Sequence, residues 1–557
     1  MIRLWPLLTV LLLVGPVAAG LWGALLPAFG HLPAAGLHGP SLEPFHALLA
    51  WPGLAEAVGL SVRVGLVSTV VSLVIVTLFV AGWSGTRAFA RLVGALSPLL
   101  SVPHAAAAFG IAAMLAPSGW LARAMSPWAT GWQRPADLLF PQDPWGVAMS
   151  VGLIAKEVPF LLLMTLAALQ QVPEARLRSV AATLGQPRIT GWFKAVFPLI
   201  YRQLRLPIFA VLAYAMSVVD LAIILGPSTP PPLAVQIVRW TSDPDIARRS
   251  VAAAAALLQL GLVLAAIGLW LAAEKGSGWL GQRWIQTGRR GGRMIGLRPL
   301  SMLITTGLAA LLLTGLAVLG LWSVAGPWRF PDILPSAVDT ATWSRVTRTA
   351  PRILGDTALI AGLSTVAALT LTLGTLETLF RRGRSSPALG MIYIPLIVPQ
   401  IAFLPGLQVF FLHLGADRGL APVVLAHLVF VLPYMFLSLS GPFHAWDARL
   451  AAQARSLGAS QARVFWHVRL PMMLRPILTA LALGIAVSVA QYLPTLLMGG
   501  GRIATLTTEA LALASGGDRR MIGAYGILQT LAAIAPFGVA IALPAYLFRN
   551  RRAMRHD

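Results

Sequence analysis

Apolar stretches long enough to cross a lipid bilayer recur along this whole sequence, and they constrain its fold more than any other feature. The chain has 557 residues, of which 57% are hydrophobic and only 11% are charged, whereas about a quarter of a soluble protein is charged. A helix crosses a bilayer with roughly 20 apolar residues, and the sequence lacks the alternating segments of a membrane β-barrel. It therefore predicts an all-α polytopic membrane protein.

Reading the apolar runs against Gly, Pro and charge clusters places about twelve spans. The predicted spans are 5–28, 56–82, 89–115, 146–170, 204–227, 250–273, 299–325, 352–380, 387–413, 419–441, 476–498 and 522–548. With both termini in the cytoplasm, most of the 42 Lys and Arg fall on the cytoplasmic side, as the positive-inside rule requires. The basic charge is thus mainly a topology signal, with contact to the anionic lipid bilayer as a second effect. It does not indicate a nucleic acid partner.

Two further features concern the N-terminus and the metal-binding residues. The first apolar run could be a cleaved signal peptide, but it continues to about Phe29, which favours an uncleaved first span. The sequence has no Cys, so disulfides, thiol catalysis and Cys-type metal sites are excluded. Its nine His show no ligand spacing, and we predict no metal site.

Two polar segments interrupt the apolar pattern at matching places. The segment "TLGQPRITGWFKAVFPLI" begins at Thr183, and "SLGASQARVFWHVRLPMM" begins at Ser456. A register of 273 residues pairs the following positions: Gly185 with Gly458, Pro198 with Pro471, Leu184 with Leu457, Gly226 with Gly499, Leu233 with Leu506, and Asp245 with Asp518. The register predicts two parallel six-span halves, 1–273 and 299–557. Residues 274–298, rich in Gly and basic residues, suit a flexible cytoplasmic linker that faces lipid.

The local chemistry of each polar segment predicts a helix, a break and a second helix. Gly185 and Gly458 can take the left-handed conformation that follows a helix C-cap. Pro187 suits the first turn of the next helix, Ser460 can cap its counterpart, and the matched prolines close the second helices. One copy alone could be a bend anchored at the membrane interface by aromatic residues. Two copies with the same spacing favour a pair of docking elements for a two-fold partner.

These segments, 177–200 and 450–473, resemble the "EAA" loops of ABC importer permeases. That pattern is Glu-Ala-Ala, three residues, Gly, nine residues and Ile-x-Leu-Pro. The matching positions are Ala181, Gly185 and Pro198 in the first copy and Ala454, Gly458, Leu470 and Pro471 in the second. The Glu of the pattern is replaced by Ser179 and Ala452. As a fused pair of permease halves, the chain is most similar to the thiamine, ferric-iron and YnjC-like importers.

The resemblance implies a non-enzymatic transport subunit of the bacterial inner membrane. It implies that two ABC ATPase subunits each receive one loop helix in a groove, and that a periplasmic binding protein delivers a small solute. The glycines would be hinges, and the apolar knobs would be the aromatic pairs Trp192–Phe193 and Phe465–Trp466. None of the three Lys follows a Gly, so the sequence has no Walker A phosphate loop. ATP-Mg is therefore expected in the partner subunits.

Polar groups within spans are candidates for the translocation path, because they are costly there and often functional. The first candidates are His104 and Gln400, which follow matched prolines in the two halves, and Asp220 in the fifth span. Other intramembrane candidates are Lys156, Glu157 and Glu377. Each also has a structural interpretation: Lys156 and Glu157 could form an internal ion pair, and Arg63 could pair with Asp220.

Two other classes of protein compete with this interpretation. A twelve-helix secondary transporter of the major-facilitator type would carry a basic loop with Asp and paired Arg between its second and third spans, which residues 81–94 do not supply. A membrane enzyme would need clustered acidic or His side chains, and the 19 acidic residues are scattered. Thiamine, ferric iron, a polyamine and a small anion all remain open as the solute.

Overall fold

The computed structural model describes residues 4–290, 296–382, 387–417 and 419–549. Parts of the predicted linker, of the basic run at 381–384 and of the basic tail lie outside the described residues. Within them, ten helices are long and apolar enough to span a membrane, or up to twelve if two bent helix pairs each count as one span. The predicted all-α polytopic fold is confirmed.

The two halves contain matching series of helices. The helices of the first half are α1 (Trp5–Ala28), α2 (Glu43–Leu49), α3 (Leu54–Trp83), α4 (Arg87–Leu96), α5 (His104–Leu115), α6 (Trp120–Met125), α7 (Val147–Leu169), α8 (Glu174–Thr183), α9 (Arg188–Ala195), α10 (Phe197–Ser217), α11 (Asp220–Leu225), α12 (Leu233–Thr241) and α13 (Arg248–Gln286). A short antiparallel hairpin, β1 (His31–Leu32) with β2 (Leu37–His38), follows α1.

The second half repeats this order with small changes. Its helices are α14 (Leu297–Ser323), α15 (Ala341–Arg382), α16 (Ile394–Ile397), α17 (Gln400–His413), α18 (Ala421–Ala445), α19 (Ala448–Ser456), α20 (Gln461–Val464), α21 (Leu470–Met472), α22 (Leu474–Val489), α23 (Leu493–Gly499), α24 (Leu506–Ser515) and α25 (Arg519–Leu547). Short 3-10 segments are Pro33–Ala35, Ser97–Leu100 and Pro387–Tyr393, and a π-helical turn covers Phe465–Arg469.

The third and fifth spans of each half are broken, where the sequence predicted continuous helices. The predicted spans that break are 89–115, 204–227, 387–413 and 476–498. In the third spans the breaks contain Pro103 and Pro399, and the helices on either side of Pro399 bend by 96°. Proline lacks an N–H and pushes the preceding residue out of the helical region. In the fifth span of the first half, the β-branched residue Val218 is extended.

Side chains from neighbouring helices satisfy backbone groups that the breaks leave free. The ammonium of Lys156 on α7 donates to the carbonyls of Leu99 at 2.9 Å and Val102 at 2.5 Å, immediately before α5. The amide of Gln408 on α17 donates to the carbonyl of Leu497 at 2.8 Å, in the last turn of α23. Within a bilayer no water would supply these hydrogen bonds.

Two carbonyls at matching positions of the halves each accept a side-chain hydrogen bond, but the donors differ. The amide of Gln259 on α13 donates directly to the carbonyl of Met216, at the end of α10, at 3.1 Å. In the second half the matching carbonyl belongs to Val489, 273 residues later, and it accepts from the hydroxyl of Thr507. The amide of Gln529 on α25 donates in turn to that hydroxyl at 2.6 Å. The repeat thus preserves the function of the contact and not its residues.

The two halves exchange their first helices. Helix α1 packs on α17 of the second half, and α14 packs on α5 of the first. Glycines allow both contacts: a Cβ built on Gly406 would lie 1.9 Å from the carbonyl oxygen of Gly20, and one on Gly110 would lie 2.9 Å from the carbonyl carbon of Gly315. Gly110 and Gly406 each lie six residues after the first residue of their helix. The two contacts between the halves therefore use matching positions of the two repeats.

Helix α13 continues into the segment predicted to be a flexible linker. Residues 274–286 are helical, although this stretch contains three glycines. Two contacts hold it: Glu274 pairs with Arg205 on α10, and the Lys194 ammonium on α9 lies 4.7 Å from the centre of the Trp284 ring. Tertiary contacts here outweigh the low helix propensity of glycine.

Replacing Gly406 with valine should destabilise the exchanged packing of α1 on α17. Its side chain would overlap backbone atoms, which cannot rotate away, and overpacking a tight contact costs about 1–3 kcal/mol or more. Gly362→Val on α15 is the matched control, because no atom lies within 4 Å of a Cβ built there. The measurement is the unfolding temperature of the purified chain in detergent; an equal shift in both variants would contradict the close helix contact.

Candidate functional site

Both repeated loops form the same turn around their glycine. Gly185 has φ +71° and Gly458 has φ +82°, the left-handed conformation that the sequence predicts. In each loop the N–H of the residue after the glycine donates to the third carbonyl before the C-cap, that of Ala181 or Ala454, at 3.0 Å. This is the Schellman motif, which satisfies the free carbonyls at a helix end. The matched Ala and Gly of the pattern therefore belong to one hydrogen-bonded unit.

The first loop packs its two helices closely. Ala181 is buried, and a Cβ built on Gly191 would lie 3.0 Å from the Cβ of Ala181, so a larger residue at the motif's third position would separate α8 from α9. Trp192 is fully buried, with its ring 5.3 Å from that of Phe193 and 5.9 Å from that of Phe197. Trp192, one of the predicted knobs, is not available to a partner in this structure, because its ring packs within the chain. Phe193 lies beside Trp192 and is half-buried. Pro198 lies in the first turn of α10.

The first loop is anchored on the end of α3. The hydroxyl of Ser84 donates to the carboxylate of Glu174 at 2.6 Å, and Arg178 donates to the carbonyl of Ser84 at 3.0 Å. Arg188, at the start of α9, donates to the same carbonyl. Each of these hydrogen bonds has a charged partner, Glu174 or an arginine, which makes it stronger than a neutral one. Both loop helices are therefore tied to one point at the end of a long helix.

The second loop differs from the first after its glycine. Ser460 caps the next helix by accepting from the N–H of Arg463 at 3.2 Å, as the sequence predicts. The chain then passes through the π-helical turn, and Pro471 lies in the first turn of α21. The helical segment Gln461–Met472 runs through Pro471 and ends one residue after it, and α22 leaves this segment at 74°. Leu470 is half-buried.

The aromatic pair of the second loop is more accessible than that of the first. Trp466 is 64% exposed and Phe465 is half-buried. Their rings lie 5.3 Å apart. Trp466 is thus available to a partner, which Trp192 is not.

A buried guanidinium anchors the second loop on the end of α15. Arg469 is 2% exposed, and it forms an ion pair with Glu377 on α15. Its guanidinium carbon lies 3.7 Å from the ring centre of Phe380, 4.2 Å from Trp446 and 4.8 Å from Phe443. Stacking on aromatic faces adds a favourable electrostatic contact to the ion pair.

Arg381 completes this anchor at the start of α20. It donates to the Glu377 carboxylate at 2.5 Å and to the side-chain oxygen of Gln461 at 3.2 Å. Both oxygens of Glu377 are therefore engaged by the second loop and its anchor. Glu377, a sequence candidate for the path, belongs to this anchor instead.

The path candidates lie at the breaks of the third and fifth spans. His104 is the first residue of α5, Gln400 the first of α17, and Asp220 the first of α11. The His104 ring lies 4.8 Å from that of Tyr214 on α10, and Tyr214 also lies near the Asp220 carboxylate. His104 and Gln400 are half-buried and Asp220 is 8% exposed. Tyr492 caps α23 at the break in the fifth span of the second half.

Two predicted ion pairs do not form. Lys156 donates to carbonyls, as described above, and Glu157 accepts from the hydroxyls of Ser72 at 3.0 Å and Ser68 at 3.4 Å. Neighbouring residues on one helix point in different directions, so Lys156 and Glu157 contact different partners. Arg63 donates to the carbonyl of Trp145 at 3.1 Å and stacks on its ring, not on Asp220.

Sequence reasoning missed Arg469 and the tyrosines around Asp220. Arg469 occupies an unspecified position of the loop pattern, and the three rings around it come from distant segments. Glu377 inside an apolar span indicates a cationic partner, but Arg381, four residues later, already supplies one, so this signal did not single out Arg469. Tyr214 gave no such signal, because a lone tyrosine in a span is also common as an interface anchor.

Comparison with known proteins gives consistent matches. Residues 368–552 match the family described as "Binding-protein-dependent transport system inner membrane component". The chain is 31% identical over 550 residues to the inner membrane ABC transporter permease protein YnjC of Escherichia coli (strain K12), covering 98% of both chains. It is 30% identical to the putrescine transport system permease protein PotI of the same strain, over 34% of this chain and 77% of PotI. A further match, at 24% identity, is the spermidine/putrescine permease PotC of Haemophilus influenzae, over 28% of this chain and 60% of that one.

Removing Glu377 should destabilise the second loop more than removing the whole ion pair. Glu377→Ala leaves the Arg469 charge buried without its carboxylate, which costs about 3–5 kcal/mol. The double variant Glu377→Leu with Arg469→Met removes both charges and should recover much of that loss. Unfolding temperatures are compared with those of Asp137→Ala, an exposed acid. A double variant less stable than Glu377→Ala would contradict the assigned ion pair.

Proposed function

Because the chain belongs to the inner-membrane permeases of binding-protein-dependent ABC importers, we propose that its two loops couple solute passage to ATP hydrolysis in a separate pair of ATPase subunits. As a permease, it moves a small solute, delivered by a binding protein, across the inner membrane. The full-length similarity rules out the alternative of a major-facilitator transporter. The observation that carries the coupling proposal is the pair of matching helix–glycine–helix loops, each anchored on one long helix.

The anchors support a mechanical role for the loops. Ser84 ties the first loop to α3, and Glu377 ties the second to α15. A displacement of either loop by a docked subunit would therefore be transmitted along a helix 30 or 42 residues long. Each ATPase subunit would contact one loop, with both loops and both chain termini on the cytoplasmic side.

We place the translocation path at the broken spans. His104, Gln400 and Asp220 occupy matching or adjacent breaks, and each break exposes polar groups within an apolar bundle. A solute passing there would meet the imidazole, the amide, the carboxylate and the nearby tyrosine hydroxyls. Among the solutes that the sequence leaves open, the similarity to putrescine and spermidine permeases favours a polyamine.

Substituting Gly458 with valine should uncouple transport without unfolding the chain. A side chain at positive φ costs roughly 1 kcal/mol, more if it is β-branched, and no atom lies within 4 Å of a Cβ built there. The strain should disturb the loop and lower both ATPase co-purification and uptake of radiolabelled putrescine.

Gly441→Val is the matched control, since Gly441 is an exposed helical glycine of α18 with open space around it and an ordinary φ. Both variants are compared at equal permease levels. Wild-type co-purification and uptake in Gly458→Val would show that the loop is not the coupling element. If the ATPase co-purifies with the wild-type chain but the cells do not take up putrescine, the proposed polyamine substrate is rejected and the coupling role of the loops is not.

Single cysteines can test the orientation and the path together, because the natural chain has none. A membrane-impermeant maleimide should label Trp128→Cys in intact cells, and Trp466→Cys only after permeabilisation; both side chains are exposed. Cysteines at His104 and Gln400 should react with a small thiol reagent that reaches water-filled cavities, unlike Leu153→Cys in the core. Labelling of Trp466→Cys from outside would reverse the proposed orientation, and inert cysteines at both path positions would remove them from the path.

A further inference from the structure

A pocket opens between the two helices of the second loop and the end of α15. Its volume is about 190 Å³. The residues of its wall that matter here are Glu377, Arg381, Ala451, Arg455, Phe465 and Arg469. The pocket therefore lies within the loop itself, at the surface that a docked subunit would cover.

The charges around this pocket do not balance. Three guanidinium groups face one carboxylate, and both oxygens of that carboxylate, Glu377, are already engaged by Arg381 and Arg469. Arg455 takes part in none of the ion pairs found among the described residues, and its Nε donates to the carbonyl of Ala451 at 3.2 Å. The pocket wall thus carries two positive charges in excess, so it favours an anionic group.

The surface around the pocket has the character of a protein interface. Leu457, beside Arg455, is 88% exposed, and Trp466, beside Phe465, is 64% exposed. Tryptophan and arginine are enriched among the few residues that carry most of the energy of a protein–protein contact.

The first loop lacks these basic residues. In the register of 273 residues, Arg455 corresponds to Ala182 and Arg469 to Val196. Any anion that fills the pocket would therefore distinguish one loop from the other.

We propose that this pocket receives an acidic side chain, Asp or Glu, of the ATPase subunit docked on the second loop. The carboxylate would accept from Arg455 in the bidentate geometry that guanidinium groups favour. The inference rests on the proposed coupling function, because it assumes that an ATPase docks on this loop.

The test compares ATPase association between single-charge variants of one helix. The permease and its ATPase are purified together in nanodiscs of neutral lipid, and association is measured from 50 to 500 mM NaCl. Arg455→Gln should weaken association about 10- to 100-fold at low salt, as expected for a lost charge-assisted hydrogen bond, and should flatten its salt dependence. Arg455→Glu should weaken it further, and Arg455→Lys should weaken it less than Arg455→Gln. The matched control is Arg449→Gln, which removes the same charge from an exposed position of α19 outside the pocket.

A cysteine in the pocket wall gives a second measurement. Ala451→Cys should be protected from maleimide by the bound ATPase, whereas Ala448→Cys on the exposed face of α19 should be protected less. Equal weakening by Arg449→Gln and Arg455→Gln, or an unprotected Ala451→Cys, would overturn the proposal. So would an effect of Arg455→Gln that needs anionic lipid in the nanodisc, since a lipid headgroup would then fill the pocket. Failure of the wild-type chain to bind the ATPase at all would instead reject the coupling function, and with it this inference.

Discussion

The structure depends on satisfying every backbone hydrogen-bonding group without help from water. Four spans of this chain break inside an apolar bundle, and each break frees carbonyls that a bilayer cannot solvate. The chain meets this requirement with long polar side chains from neighbouring helices, such as Lys156 at the carbonyls before α5 and Gln259 at the end of α10. Proline or an extended residue interrupts these spans, and side chains such as Lys156 and Gln259 satisfy carbonyls beside the breaks.

The two repeats satisfy the same backbone groups and anchor the same loops, but they use different residues to do so. The carbonyls of Met216 and Val489 are matched in register, yet one accepts from an amide and the other from a hydroxyl relay. The loop anchors differ in the same way: the first uses Ser84 with two arginines, and the second uses a buried ion pair surrounded by rings. A fused chain allows such divergence, because each half always meets the same partner half. Two copies of a symmetric dimer could not specialise separately.

Most of the fold and the turn of each loop could be predicted from the sequence, since hydrophobic length, glycine position and cap chemistry are local signals. Gly185, Gly458 and Ser460 behave as their residue types indicate. The predictions that failed concerned features that depend on tertiary contacts. Burial of Trp192 requires Phe197 from the next helix, the partners of Lys156 lie in another span, and the helix through 274–286 is held by Arg205 and Lys194. Pro103 and Pro399 lie at breaks, but Pro159 and Pro433 lie inside continuous helices. Proline alone therefore did not show where the spans would break.

The exchange of first helices sets an order for the biogenesis of this protein. Helix α1 is made first, but the glycine face of α17 that it packs against emerges from the ribosome roughly 390 residues later, or about 20–80 s at bacterial rates of synthesis. Until then α1 can pack only on helices of its own half, such as α13. Helix α14, by contrast, finds α5 already made. The second half therefore packs onto helices of the first half that are already in the membrane. The packing of the first half is completed only when the second half has been inserted.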